Sequence, residues 1–168
     1  MSSDGRDIAL VTGASGFIGG SVAALLHESG FEVRAFVRPS SPRANIRSHY
    51  RIAEGDVTDR ESLRKALRGV RYVFHVAADY RLWARDPADI LRTNVEGTRL
   101  VMQEALRAGV ERIVHTSSVA TLAPDPSGLC DETRRLTPEA RLGPYKRSKV
   151  ISERLVEEMI ETRALCRR

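Results

Sequence analysis

The chain has 168 residues, of which 42% are apolar and 29% charged, the proportions of one soluble globular domain with a buried core. Its 27 Lys and Arg exceed 22 Asp and Glu by +5, but the bases are scattered from Arg6 to Arg168 among acids and aromatics are sparse, so no nucleic-acid partner is expected. The first residues lack the apolar core of a signal peptide and no apolar run is long enough to span a bilayer, so no membrane partner and a cytoplasmic location are expected.

Short β-branched apolar runs alternate with longer segments of helical period, which predicts βαβ units and a parallel sheet. The first strand reads Ile8–Thr12. A glycine-rich turn follows, then a helix carrying Val22, Leu25 and Leu26 that closes near Gly30. Phe31–Val37 is the second strand, closed by Arg38 and Pro39, and Arg51–Ala53 is a short third one. Thr58 is expected to cap a helix through Leu67, with Glu61 completing a capping box. Tyr72–Val76 is the fourth strand and runs into Ala77 and Ala78. One long helix is predicted over about 87–108, with Ile90, Leu91, Val95, Leu100, Val101 and Leu106 as its apolar positions. Arg112–Thr116 is the fifth strand, 124–143 is irregular, and a last helix covers about 145–162. Five strands with helical crossovers make an open, doubly wound α/β sheet.

The turn Gly13-Ala14-Ser15-Gly16-Phe17-Ile18-Gly19 stands where a strand hands over to a helix. Gly13 permits a tight turn, Gly16 lets backbone approach a pyrophosphate, and Gly19 lets helix and strand pack closely. The free N–H groups and positive dipole end of the helix favour an anion. An acid at the end of the second strand would take the ribose diol of NAD, whereas a base there accommodates the extra phosphate of NADP. Arg38, followed by Ser40 and Ser41, occupies that place, and Glu32 is at the wrong end. NADP is the expected cofactor, with NAD the alternative.

Tyr145 and Lys149 form an i, i+4 pair on one helix face. A phenol holds its proton too tightly to be a good base near neutrality, and a neighbouring ammonium favours the phenolate. The fifth strand ends in Ser117 and Ser118, placing hydroxyls at the carboxyl edge where ligands bind in such sheets. Cys130 and Cys166 have no metal or redox spacing and read as reduced thiols. His27, His49, His75 and His115 lack ligand spacing, so no metal site is expected.

The segments GASGFIG, GDVTD, HVAA, TNVEGT, TSS and YKRSK, spread from Ile8 to about Glu161, together resemble the extended short-chain dehydrogenase/reductase family, also called the NAD-dependent epimerase/dehydratase family. Ala77-Ala78-Asp79-Tyr80-Arg81-Leu82-Trp83 is similar to the subgroup of dihydroflavonol 4-reductase-like proteins and hopanoid-associated sugar epimerases. The resemblance implies a Rossmann-like domain over 1–168 and hydride transfer between nicotinamide and a carbinol or ketone carbon of a small-molecule substrate. It assigns cofactor contacts to Gly13, Ser15, Gly16, Phe17, Ile18, Gly19, Arg38, Asp56, Val57, Ala77 and Ala78. Tyr145 would exchange the oxygen-bound proton, Ser118 (with Ser117 its neighbouring alternative) would hold the substrate oxygen, and Lys149 would poise Tyr145 and the cofactor ribose. Asn94 would be structural or a proton relay.

In that family a sixth strand and a smaller substrate domain follow the Tyr/Lys helix, and the fourth and last helices pair in homodimers. Here Ala164 and Leu165 begin such a transition and Arg168 ends the sequence. The expectation is therefore a domain truncated before the sixth strand, with cofactor binding rather than turnover in this form and an exposed edge on the fifth strand. The rival expectation is a non-catalytic dinucleotide-binding or interaction module, against which the retained Tyr145 and Lys149 argue.

Overall fold

The structure, a computed structural model, describes residues 5–125, 128, 130–140 and 142–162. Cys166 and the expected Ala164-Leu165 transition lie outside the described residues. In chain order the elements are β1 (Ile8–Thr12), α1 (Phe17–Glu28), β2 (Glu32–Val37), β3 (Arg51–Glu54), α2 (Arg60–Ala66), β4 (Tyr72–His75) and α3 (Pro87–Leu91). A π turn (Arg92–Glu96), α4 (Gly97–Arg107), β5 (Arg112–His115), a short 3₁₀ turn (Val119–Thr121) and α5 (Pro144–Glu161) follow.

All strand pairs are parallel, and the five-stranded sheet has the order β3-β2-β1-β4-β5. β1 is central and every one of its residues is buried, as its unbroken apolar run requires. Its side chains alternate between two cores. Ile8 and Leu10 pack with Phe36, Leu63, Leu67, Val73, Val101 and Ala105 beneath α2 and α4. Ala9 and Val11 pack with Ala23, Leu26, Val33, Ala35 and Val37 beneath α1. This two-sided burial is the doubly wound arrangement. Among the described residues β5 lies at the edge of the sheet, and its Val114 is 51% exposed.

Two local expectations are corrected. Thr58 does not cap α2; Asp59 does, accepting from the amides of Glu61 at 3.1 Å and Ser62 at 3.3 Å. Thr58 instead donates from its amide (2.8 Å) and hydroxyl (2.7 Å) to the Asp56 carboxylate. With the cap one residue later, Glu61 stands at the second helical position and no capping box forms. The stretch 87–108 is also not one regular helix, because the π turn inserts between α3 and α4. Asn94 and Val95 within this turn are buried, 3% and 8% exposed, and such turns are frequent at functional sites.

The helices on the α2/α4 face are also joined by charge. Glu104 of α4 is buried and meets Arg60 and Arg64 of α2 and Arg107 of its own helix. Three guanidinium partners are what a buried carboxylate needs to remain ionised. The segment after the 3₁₀ turn is held by an isolated antiparallel bridge between Leu122 and Arg135 and by Arg135 against Glu157 of α5.

Candidate functional site

The strand order reverses between β1 and β4, and the crevice at their carboxyl ends is where open α/β sheets take ligands. The glycine turn sits on it. Gly13 has φ +70°, and a Cβ there would lie 2.9 Å from the backbone of Ala77. Gly13 therefore lets the end of β1 approach the end of β4. A Cβ at Gly19 would fall 2.1 Å from the Gly13 carbonyl oxygen, so only glycine allows the first turn of α1 against the strand end. The Gly16 amide closes the turn by donating to Gly13 at 2.9 Å. α1 begins without a side-chain cap, and its first-turn amides are without intrahelical partners. Phe17 is 87% and Ile18 55% exposed; both stand on the open side of the turn.

The end of β4 is positioned by a polar chain that sequence inspection missed. Thr12 Oγ1 accepts from the amides of Val76 (3.1 Å) and Ala77 (3.0 Å). Its single proton must then go to His75 Nδ1, 2.9 Å away. Nε2 consequently carries the ring proton and donates to Thr98 Oγ1 at 3.0 Å, which donates to the Asn94 carbonyl at 2.6 Å. Burial, followed by His115 and Lys149, holds His75 well below the usual histidine range, so the ring is neutral as this chain demands. His75 thus fastens the strand ends bearing Gly13 and Ala77 to α4.

Asn94 fastens the next segment. Its Oδ1 accepts from the Asp79 amide at 2.7 Å, and its Nδ2 donates to the Asp79 carbonyl at 2.9 Å and to Ser148 Oγ at 2.8 Å. Ser148 in turn donates to the Tyr145 carbonyl at 2.7 Å. With these bonds made, Asn94 is a positioning residue between the β4 loop and the start of α5. Beyond Asp79, Tyr80, Leu82 and Trp83 are each more than three-quarters exposed.

α5 carries Tyr145 and Lys149 and brings Lys149 to the end of β5. Lys149 is 4% exposed and its Nζ donates to the Thr116 carbonyl at 2.9 Å. Burial lowers its proton affinity, while Glu153 opposes that shift. Tyr145 is half-buried one turn earlier. The two serines differ in their bonds. Ser117 donates to the Glu153 carboxylate. Ser118 accepts from the Ala120 amide at 3.1 Å, capping the 3₁₀ turn, and its own proton is left to donate.

Arg38 is exposed at the end of β2. It adds to the field that holds Asp79 below the usual carboxylate range, after the larger effect of the Arg81 side chain. Arg38 and the β4 loop therefore share one edge of the sheet. Asp56 is half-buried and held by Thr58, whereas Val57 is 8% exposed and packs where a Cβ at Gly97 would come 2.7 Å from its Cγ2. Among the described residues no helix is long and apolar enough to cross a membrane, and no group of three or more His, Cys, Asp or Glu gathers as for a metal.

The family model for the NAD dependent epimerase/dehydratase family matches residues 9–166. The chain is 41% identical over 145 residues to sterol demethylase protein B of Methylococcus capsulatus, covering 86% of this chain and 44% of that protein. It is 40% identical over 149 residues to a putative dihydroflavonol 4-reductase of Synechocystis, covering 88% and 43%. Among solved structures it superimposes on gox2253 with a TM-score of 0.88 and 46% identity, covering 95% of this chain and 49% of that one. The UDP-glucose 4-epimerase of Thermus thermophilus, in complex with NAD, aligns with a TM-score of 0.83 at 27% identity, over 94% and 52%. The chain spans about half the length of the relatives it matches.

Proposed function

Since this chain belongs to the NAD-dependent epimerase/dehydratase family, we propose that it is the dinucleotide-binding and acid/base portion of an NADP-dependent reductase acting on a ring ketone or the corresponding carbinol. What supports this reading is that the glycine turn, Arg38 and the Ser117–Ser118 pair each follow the carboxyl end of a parallel strand, and that Lys149 bonds to Thr116 at the same end of β5. When bound, the nicotinamide supplies or accepts the hydride. The first-turn amides of α1 would hold the pyrophosphate, and Arg38 the ribose phosphate that distinguishes NADP.

In the proposed reaction the Ser118 hydroxyl donates to the substrate oxygen. Tyr145 gives that oxygen its proton during reduction and takes it during oxidation. Lys149 stabilises the phenolate so formed and reaches the nicotinamide ribose. The rim of Tyr80, Leu82 and Trp83 suits an apolar ring system better than a sugar nucleotide, in keeping with the names of the sterol and dihydroflavonol relatives. A homodimer through α4 and α5 belongs to the same reading.

Protein fluorescence titrated with NADPH and NADH tests the binding half, with tighter binding of NADPH expected. The chemical half is tested by Tyr145→Phe, which should bind NADPH like the wild type and lose any ketone reduction. Failure to bind either dinucleotide would refute the proposal, and reduction that survives in Tyr145→Phe would refute its chemistry.

A further inference from the structure

The loop between β2 and β3 does more than carry Arg38. It bends back over the glycine turn and places the Asn45 side-chain nitrogen 3.0 Å from the Ser15 carbonyl and 3.3 Å from the Gly16 carbonyl. Both partners are acceptors, so only the amide nitrogen of Asn45 suits this place. The loop is not resting there by chance of crowding. Next to Asn45, Ile46 packs against the core beneath α1, and Tyr50 is 6% exposed within it. Arg43 pairs with Glu54 of β3 at 2.6 Å, and the Ile46 amide donates to the Arg43 carbonyl at 2.9 Å.

A trans peptide directs its N–H opposite to its C=O. Fixing the Gly16 carbonyl toward the loop therefore aims the Phe17 N–H away from the loop, as a first-turn donor open to an anion. The Gly20 amide fixes the same carbonyl from the helix side at 2.9 Å. Gly20 also provides the room, since a Cβ on it would stand 3.0 Å from Asn45 Cβ.

We infer that Asn45 is a positioning residue for the dinucleotide pyrophosphate, a latch that sets the peptide planes of the phosphate turn and ties them to the loop bearing Arg38. The inference rests on the dinucleotide reading above. It makes the loop a strap whose start meets the ribose end of the ligand and whose middle sets the donors for its phosphates. In this role Asn45 acts through the carbonyls of Ser15 and Gly16.

Calorimetric titration of the purified protein with NADPH and ADP-ribose, beside ligand-observed NMR with adenosine, tests it. Asn45→Ala is expected to weaken NADPH and ADP-ribose about tenfold and to leave adenosine, which has no phosphate, within about twofold. A merely structural role would weaken all three together. Gly20→Ala, which keeps Asn45 but crowds it while favouring the helix, should reproduce the selective loss in smaller measure. NADPH affinity unchanged in Asn45→Ala, or equal losses for adenosine and ADP-ribose, would overturn the latch while the dinucleotide reading stands. A wild-type protein that binds neither NADPH nor ADP-ribose would overturn both.

Discussion

Asn94 donates to the Ser148 hydroxyl at 2.8 Å across the interface between the π turn and α5, while its other two bonds grip both backbone groups of Asp79. One side chain thus fixes the β4 loop relative to the helix that carries Tyr145 and Lys149. Asn94→Ala would strand the Asp79 peptide and free Ser148, and a lost stability of about 2–4 kcal/mol is expected from urea denaturation. A loss well under 1 kcal/mol would show that water replaces the amide.

Acid should destabilise the fold through His115. Both of its ring nitrogens are buried without hydrogen-bond partners, and its ring lies 5.4 Å from that of His75. Burial, with Lys149 adding to it, lowers its pKa from 6.5 to about 4. The unfolded chain therefore binds a proton in the interval where the folded chain does not. Stability attributable to His115 is complete above about pH 6.5 and falls away toward about pH 4, by about 3 kcal/mol in all. His115→Phe should flatten the stability profile by that amount over the interval. Parallel profiles for variant and wild type would contradict the assignment.

The glycine turn gives a steric prediction. A methyl on Gly19 meets the Gly13 carbonyl oxygen at 2.1 Å, which forces the strand end and helix apart. Gly19→Ala should weaken NADPH binding about a hundredfold, the equivalent of about 3 kcal/mol of turn distortion. Isothermal titration reads this directly.

For Arg38 the expected effect is on selectivity. Replacing it with Ala should reduce NADPH affinity about tenfold to a hundredfold, as loss of a charge-assisted hydrogen bond would, and leave NADH nearly unchanged. Equal losses for the two dinucleotides, measured by calorimetry, would assign Arg38 to the loop's own structure instead.

Much of this architecture is legible in the residues themselves. The unbroken apolar run of β1 and the glycine spacing after it identify a buried central strand feeding a tight glycine turn, and the structure has both. The family resemblance carried by these motifs agrees with the matching family model. The α2 cap was not legible, because Thr58 and Asp59 are both good cap residues and only the chain's path decides between them. Nor was the π turn, since the apolar positions of 87–108 satisfy a regular helical period on either side of the insertion. The chain from Thr12 through His75 to Thr98 joins residues 63 and 23 positions apart, a separation that no local pattern reports. Asn45 was hidden for a similar reason, its partners lying 30 and 29 positions back along the chain.

In the proposed function one carboxyl edge, at the β1/β4 reversal, takes the dinucleotide. Amide chemical-shift mapping of the isotope-labelled protein during NADPH addition tests it most directly. Saturable shifts are expected at Gly13, Gly16, Phe17, Gly19, Arg38, Asn45, Ala77 and Ser118, with little change on α2. Shifts confined to the α2/α4 face, or none at saturating NADPH, would contradict it.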